Sequence, residues 1–118
     1  MLFICYPRCS TCKKAKLWLT ERGIKFEERD IKLENPKKEE LEKWYKKSGL
    51  PLRRFFNTSG VQYRDLELKN KLPNMSDDEQ LELLATDGML VKRPLLVSDD
   101  FVLIGFKEAE WEEALGKR

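Results

Sequence analysis

Leu2-Phe3-Ile4-Cys5-Tyr6-Pro7-Arg8-Cys9-Ser10-Thr11-Cys12 is the stretch on which the reading of this chain turns. A short apolar run leads into two thiols three positions apart. A helical stripe of Ala15, Trp18 and Leu19, at i, i+3 and i+4, begins at once. The segment is therefore expected to run strand, loop, helix, with Cys9 in the loop just before the helix. There the unpaired N–H groups and the positive end of the helix dipole favour a thiolate. The thiolate is the nucleophile, so this location turns an ordinary cysteine into a reagent. Arg8, Lys13 and Lys14 add positive charge that would lower the Cys9 pKa further.

Outward from that motif, the helix is expected to reach about Arg22 and stop at Gly23. Ile24 to Ile31 reads as a strand, and Glu27, Glu28, Arg29 and Asp30 suit it to an exposed sheet edge. Asn35-Pro36 is expected to open a second helix, with Asn as N-cap and Pro in the first position. Leu41, Trp44 and Tyr45 form its apolar stripe, and Gly49 with Pro51 ends it. Leu52, Phe55 and Phe56 make a second short stripe, Thr58-Ser59-Gly60 a turn, and Tyr63 with Leu66 one more helical turn. Ser76-Asp77-Asp78-Glu79 is a capping box for a further helix, with Leu81, Leu84 and Ala85 inward and Gly88 at its end. Leu95-Leu96-Val97 and Phe101-Val102-Leu103-Ile104, joined by three residues, predict an antiparallel hairpin. A last helix follows, burying Trp111, Ala114 and Leu115.

The order is βαβ, a helical insertion over about 35–88, then ββα. A parallel strand pair joined to a hairpin, with helices on both faces, predicts an α/β fold. It is expected to be thioredoxin-like (glutaredoxin-type), a mixed four-stranded sheet with a helical insertion. A C-x-x-C near a βαβ unit points the same way. The 118 residues are expected to form a single domain over 1–118.

Hydrophobic residues are 41% of the chain and charged ones 37%, the balance of a folded, water-facing domain. Against 23 basic residues stand 21 acidic ones, a net charge of +2. That leaves no broad positive footprint, so neither direct nucleic-acid binding nor membrane attachment is expected. No apolar run could span a bilayer and no secretory signal is visible, so a cytoplasmic location is expected. In that compartment a C-x-x-C is redox-active or metal-binding rather than a structural crosslink. Structural zinc wants four Cys or His ligands, whereas this chain has three Cys and no His, so no metal site is expected. The lack of histidine also removes the usual general base, leaving Cys9 activation to cations and the helix terminus.

Cys9 is thus the candidate nucleophile. Cys12, one turn on and on the face of Ala15, suits a resolving thiol that attacks a mixed disulfide, or a small core residue. Cys5, inside the first strand, reads as a buried structural thiol. Arg93-Pro94 opens a strand, where a proline is tolerated because it has no N–H to contribute. In a thioredoxin-like fold this proline is typically cis and lies against the reactive cysteine. Arg93 would then hold an oxyanion or stabilise the Cys9 thiolate; a solvated surface arginine is the alternative. Arg53, Arg54 and the mixed charges from Lys37 to Lys47 read as surface.

Tyr6 to Ala15, the helical middle with Phe55 to Gly60, and Lys92-Arg93-Pro94-Leu95, in that order, resemble the arsenate reductase/Spx (ArsC-like) family over essentially the whole chain. The resemblance implies a thiol-dependent oxidoreductase on one branch and a redox-sensing regulator that binds the RNA polymerase α subunit on the other. Cys9 matches the cysteine that attacks arsenate, and Arg93 an arginine beside it, giving Cys9, Cys12 and Arg93 as the catalytic set. Arg8, Pro94, Asn57 and Lys107 are the expected substrate-binding positions. Asn57 and Phe106 stand where the reductases place two further oxyanion-binding arginines, with Lys107 adjacent. Each charge-assisted contact is worth about 1.5–3 kcal/mol, so weak arsenate binding is implied. Cys12 is similar to the C-x-x-C switch of the regulators. Ser48 to Pro51 and Asn57 to Gly60 look like the arsenate-reductase-like bacterial members, among which the chain is expected to fall. No bound cofactor is implied, only a cellular thiol-reducing system: glutathione, glutaredoxin or thioredoxin.

Overall fold

In the computed structural model, which describes residues 1–115, β1 (Leu2–Cys5) is the strand around which the sheet is built. β1 pairs in parallel with β2 (Glu27–Asp30), Leu2 opposite Glu27 and Cys5 opposite Asp30. On its other side it pairs antiparallel with β3 (Leu95–Val97), which pairs in turn with β4 (Val102–Ile104). The order is β2-β1-β3-β4. α1 (Ser10–Glu21) makes the crossover from β1 to β2 and ends at Gly23, whose φ of +67° a β-carbon would strain. β2 is shorter than the strand expected over 24–31, because β1 offers it only four partners. Its Arg29 is not solvated. The side chain is 15% exposed, bridges both carboxylate oxygens of Glu40 and donates to the carbonyls of Glu34 and Asn35.

The strand period of two divides the core between the sheet faces. Phe3 and Cys5 face one side, with Trp18 and Leu19 of α1 and Trp111 of α6 (Glu108–Leu115). Trp111 is fully buried; its indole N–H donates to Gly105 O at 2.9 Å. Ile4, Leu95 and Ile104 face the opposite side and pack under the insertion.

The insertion comprises α2 (Lys38–Ser48), α3 (Val61–Asp65), α4 (Leu68–Lys71) and α5 (Asp77–Leu84), with short 3-10 turns between. Two boundaries differ from the sequence reading. α2 is capped not by Asn35 but by Lys37, whose N–H donates to Glu40 Oε1 at 3.0 Å. The Asn35 amide instead donates to Ala85 O at 2.8 Å, tying the β2–α2 connection to the end of α5. The α5 capping box forms as read: Ser76 Oγ accepts from the Glu79 N–H, and Glu79 Oε1 from the Ser76 N–H. α5 stops at Leu84, however, and Gly88 opens a 3-10 turn over Gly88–Leu90. What requires glycine there is proximity, since a β-carbon would lie 1.8 Å from Ile31 O. Among the described residues no helix is long and apolar enough to cross a membrane.

Candidate functional site

Cys9 is the N-cap of α1, with extended backbone at φ −87° and ψ 123°. Its N–H donates to Tyr6 O at 2.9 Å and its carbonyl accepts from Lys13, which closes the loop and starts the helix. The thiol is half-buried. Burial pushes its pKa up, but the N–H and thiol of Cys12, the N–H of Thr11 and the Arg93 guanidinium outweigh that, so the net direction is down.

Cys12 lies one turn on and is 2% exposed. Its sulfur accepts from the Tyr6 N–H at 3.4 Å. Burial first, then its bond to Cys9 and the Cys9 charge, push its pKa up to about 12 against the help of Tyr6. Cys5 is likewise pushed up to about 12, by burial and by Glu28, whose carboxylate lies 3.7 Å from its sulfur. The three thiols are free, and only that of Cys9 is shifted downward.

Opposite the motif, the Arg93-Pro94 peptide bond is cis. Pro94 is buried, and its carbonyl accepts from the Gly105 N–H at 2.8 Å. Arg93 lies over the Tyr6 ring, 5.3 Å from its centroid. The segment before it is stitched to the insertion. Lys92 N–H donates to Phe55 O and Asn57 N–H to Leu90 O, both at 2.7 Å, and Phe56 bridges Val91. These bonds bring the 3-10 turn Leu52–Phe55 beside the entrance to β3.

Between them lies a cleft of about 440 Å³, lined by Thr11 from α1 and by five cations, Arg53, Arg54, Lys92, Arg93 and Lys107. Among the described residues lining it, none is acidic. Arg93 Nε and Nη1 are buried there with no hydrogen-bond partner among the described residues.

Cys9, Cys12 and Arg93 are thus brought together, and Lys107, though exposed, lines the cleft. Pro94 is buried next to Arg93 and is not itself a lining residue. Arg8 is exposed and is not in the cleft wall, and neither is Asn57, whose amide turns toward Met89 O at 3.5 Å. Phe106 lines the cleft but packs its ring on Trp111, 5.0 Å between centroids. Arg53 and Arg54, read from sequence as surface charges, and Lys92 are cleft residues. A local signal existed: the arginine pair sits between buried Leu52 and Phe55, so it must point away from that core. Its destination depends on the distant Phe56–Val91 bridge. Among the described residues, no three His, Cys, Asp or Glu side chains gather as a metal would require.

Comparison with known proteins finds relatives over nearly the whole chain. The ArsC family model matches residues 5–114. The uncharacterized protein YusI of Bacillus subtilis (strain 168) is 57% identical over 113 residues, covering 96% of each chain. Regulatory protein MgsR of the same organism is 32% identical over 110 residues, covering 93% of this chain and 86% of its own. A crystal structure of an ArsC-family-related protein from Bacteroides fragilis superposes with a TM-score of 0.93. It is 57% identical and covers 95% of this chain and 94% of its own.

Proposed function

We propose, for a chain that belongs to the ArsC family, a thiol–disulfide oxidoreductase in which Cys9 is the nucleophile and Cys12 the resolving thiol. One observation carries the reading: of three thiols in one site, Cys9 alone is shifted toward the thiolate, while Cys12 is held protonated against it. The Cys9 thiolate attacks a substrate sulfur, whose partner departs as a thiolate. Once Cys9 is in a mixed disulfide its charge is gone, and with it two of the causes that raise Cys12. Cys12 then loses its proton, attacks Cys9 and releases the second substrate thiol. The resulting Cys9–Cys12 disulfide is reduced by a cellular dithiol or glutathione system.

Alkylation of the reduced protein with iodoacetamide across pH tests this. Cys9 is expected to react with a midpoint below that of a free thiol, about 8.5, with Cys5 and Cys12 spared at neutral pH. A Cys9 midpoint at or above 8.5 would overturn the assignment. Arsenate reduction is not favoured, because Asn57 and Phe106 supply no cation where the family's oxyanion cradle would need two.

The relationship to Regulatory protein MgsR favours a second reading, a redox regulator whose Cys9–Cys12 disulfide alters a surface for RNA polymerase. A pull-down with the polymerase α subunit, oxidised against reduced, separates the two. Absence of binding in both states removes the regulator.

A further inference from the structure

We propose that Arg53, Arg54 and Lys92 form an anion subsite beside Cys9, and that the exchange substrate is a disulfide of a small thiol carrying at least two carboxylate or phosphate groups. The inference rests on the thiol-exchange reading of Cys9 and names its substrate class.

Charge is the first ground. Some cations elsewhere pair with carboxylates, such as Lys16 with Glu28, Arg29 with Glu40, and Lys38 with Asp78 and Glu82. Others, such as Lys13, Lys14 and Lys43, stand singly on the exposed surface. What sets the cleft apart is that five gather in one concave site. The five cations of the cleft form no ion pair among the described residues, and none of the described residues lining it is acidic. Like charges so gathered repel unless an anion enters. The buried Nε and Nη1 of Arg93, itself a lining residue, have no hydrogen-bond partner among the described residues and add a demand for an acceptor.

Size and reach are the second ground. At about 440 Å³ the cleft falls among pockets for whole small molecules, roughly 300–1,000 Å³, and far exceeds one tetrahedral oxyanion. Phe56, Ile104 and Phe106 supply apolar wall for a carbon skeleton. Thr11 places the cleft two residues from Cys9, and the Arg93 charge reaches that sulfur. A ligand with its sulfur at Cys9 can therefore set a distant anionic group on Arg53, Arg54 or Lys92. Cations gathered on a stitched backbone select such a ligand over a neutral one.

In the exchange, the Cys9 thiolate forms a bond to one sulfur of the substrate disulfide and the substrate S–S bond breaks. The first small thiolate leaves and takes a proton from water. Cys12 gives its proton to solvent, attacks Cys9 and expels the second. Two electrons pass from the protein dithiol to the disulfide, which leaves as two anionic thiols.

The test needs no external reductant. Pre-reduced protein is mixed with excess disulfide, and oxidation of Cys9 is followed by quenched mass spectrometry. The probes are glutathione disulfide (carboxylates), coenzyme A disulfide (phosphates), 2-hydroxyethyl disulfide (neutral) and cystamine (cationic). At least one anionic probe is expected to react about ten-fold or more faster than the neutral one, with cystamine slowest and the gap narrowing as salt rises. Whichever anionic probe leads distinguishes carboxylate from phosphate. The doubly substituted Arg53→Gln/Arg54→Gln protein is expected to lose most of that ratio; Arg53 is exposed and Arg54 half-buried, so folding is retained. Equal rates for anionic and neutral probes, or a ratio the double substitution leaves intact, overturns the subsite. If no disulfide oxidises Cys9, the exchange reading itself has failed. Binding of S-methylglutathione and S-methyl-coenzyme A, which cannot exchange, then tests the subsite alone by NMR titration. Saturable shifts in the wild type that vanish in the double variant sustain it, and their absence in the wild type rejects it.

Discussion

Each of the three thiols owes its character to its immediate surroundings. Cys9 is tuned by groups within one helical turn plus a single distant charge, that of Arg93. The local part was legible in the sequence, because an N-cap position and its N–H groups follow from the strand-to-helix pattern. The distant part was legible only through the motif Lys92-Arg93-Pro94, since nothing local brings residue 93 to residue 9. Arg93→Gln is accordingly expected to move the alkylation midpoint of Cys9 upward, and Arg93→Lys to move it less, because a point charge survives. Identical profiles for wild type and Arg93→Gln would show that the helix terminus suffices without the guanidinium. Asn57 shows the limit of reading residues in line. Its position suggested a substrate contact, but its backbone bond to Leu90 and its amide's turn toward Met89 hold it away from the cleft.

At the scale of elements, the sequence announced the helices and misjudged two of their joints. Ser76 and Glu79 cap α5 with groups three residues apart, a purely local exchange, and it forms as read. Asn35 was equally persuasive as a cap, yet a carbonyl fifty positions away, Ala85 O, takes its amide and α2 starts later. Gly88 was read as a helix terminator and serves as a point of contact with Ile31. Gly88→Ala is therefore expected to cost about 3 kcal/mol, the upper part of the usual overpacking range, because backbone rather than a flexible side chain meets the new methyl. Gly49→Ala, with φ +67° but nothing within 4 Å of the new atom, is expected to cost about 1–2 kcal/mol for the left-handed backbone alone. Urea denaturation of both checks the pair. A Gly88→Ala no more costly than Gly49→Ala would mean that the α5–β3 connection yields freely.

For the molecule as a whole, the thiols couple stability to pH with opposite signs. Cys9, lowered on folding, adds stability above its unfolded pKa, and that contribution is lost as pH falls through its folded value. Cys5 and Cys12, raised to about 12, add stability that is complete below about 8.5 and lost as pH climbs toward 12. The reduced protein should therefore weaken as pH rises above about 8.5. Relative to Cys5→Ala, wild type should lose up to about 1.4 kcal/mol more per pH unit, one proton's worth. Urea midpoints from about pH 8 to 10.5, the measurable part of that window, provide the check, and parallel profiles would contradict the burial of Cys5. The sequence by itself determined the order of strands and helices, the placing of Cys9 at a helix start and the alternation that splits the core, because each depends on neighbours within a few residues. Only the tertiary structure decided that Arg53, Arg54 and Lys92 join Arg93 and Lys107 around one cleft. Those residues come from three segments, and what brings them together is the hydrogen bonding between Phe55–Asn57 and Leu90–Lys92 and the pairing of β3 with β4. Such contacts across the chain leave no periodic trace in the residues that make them.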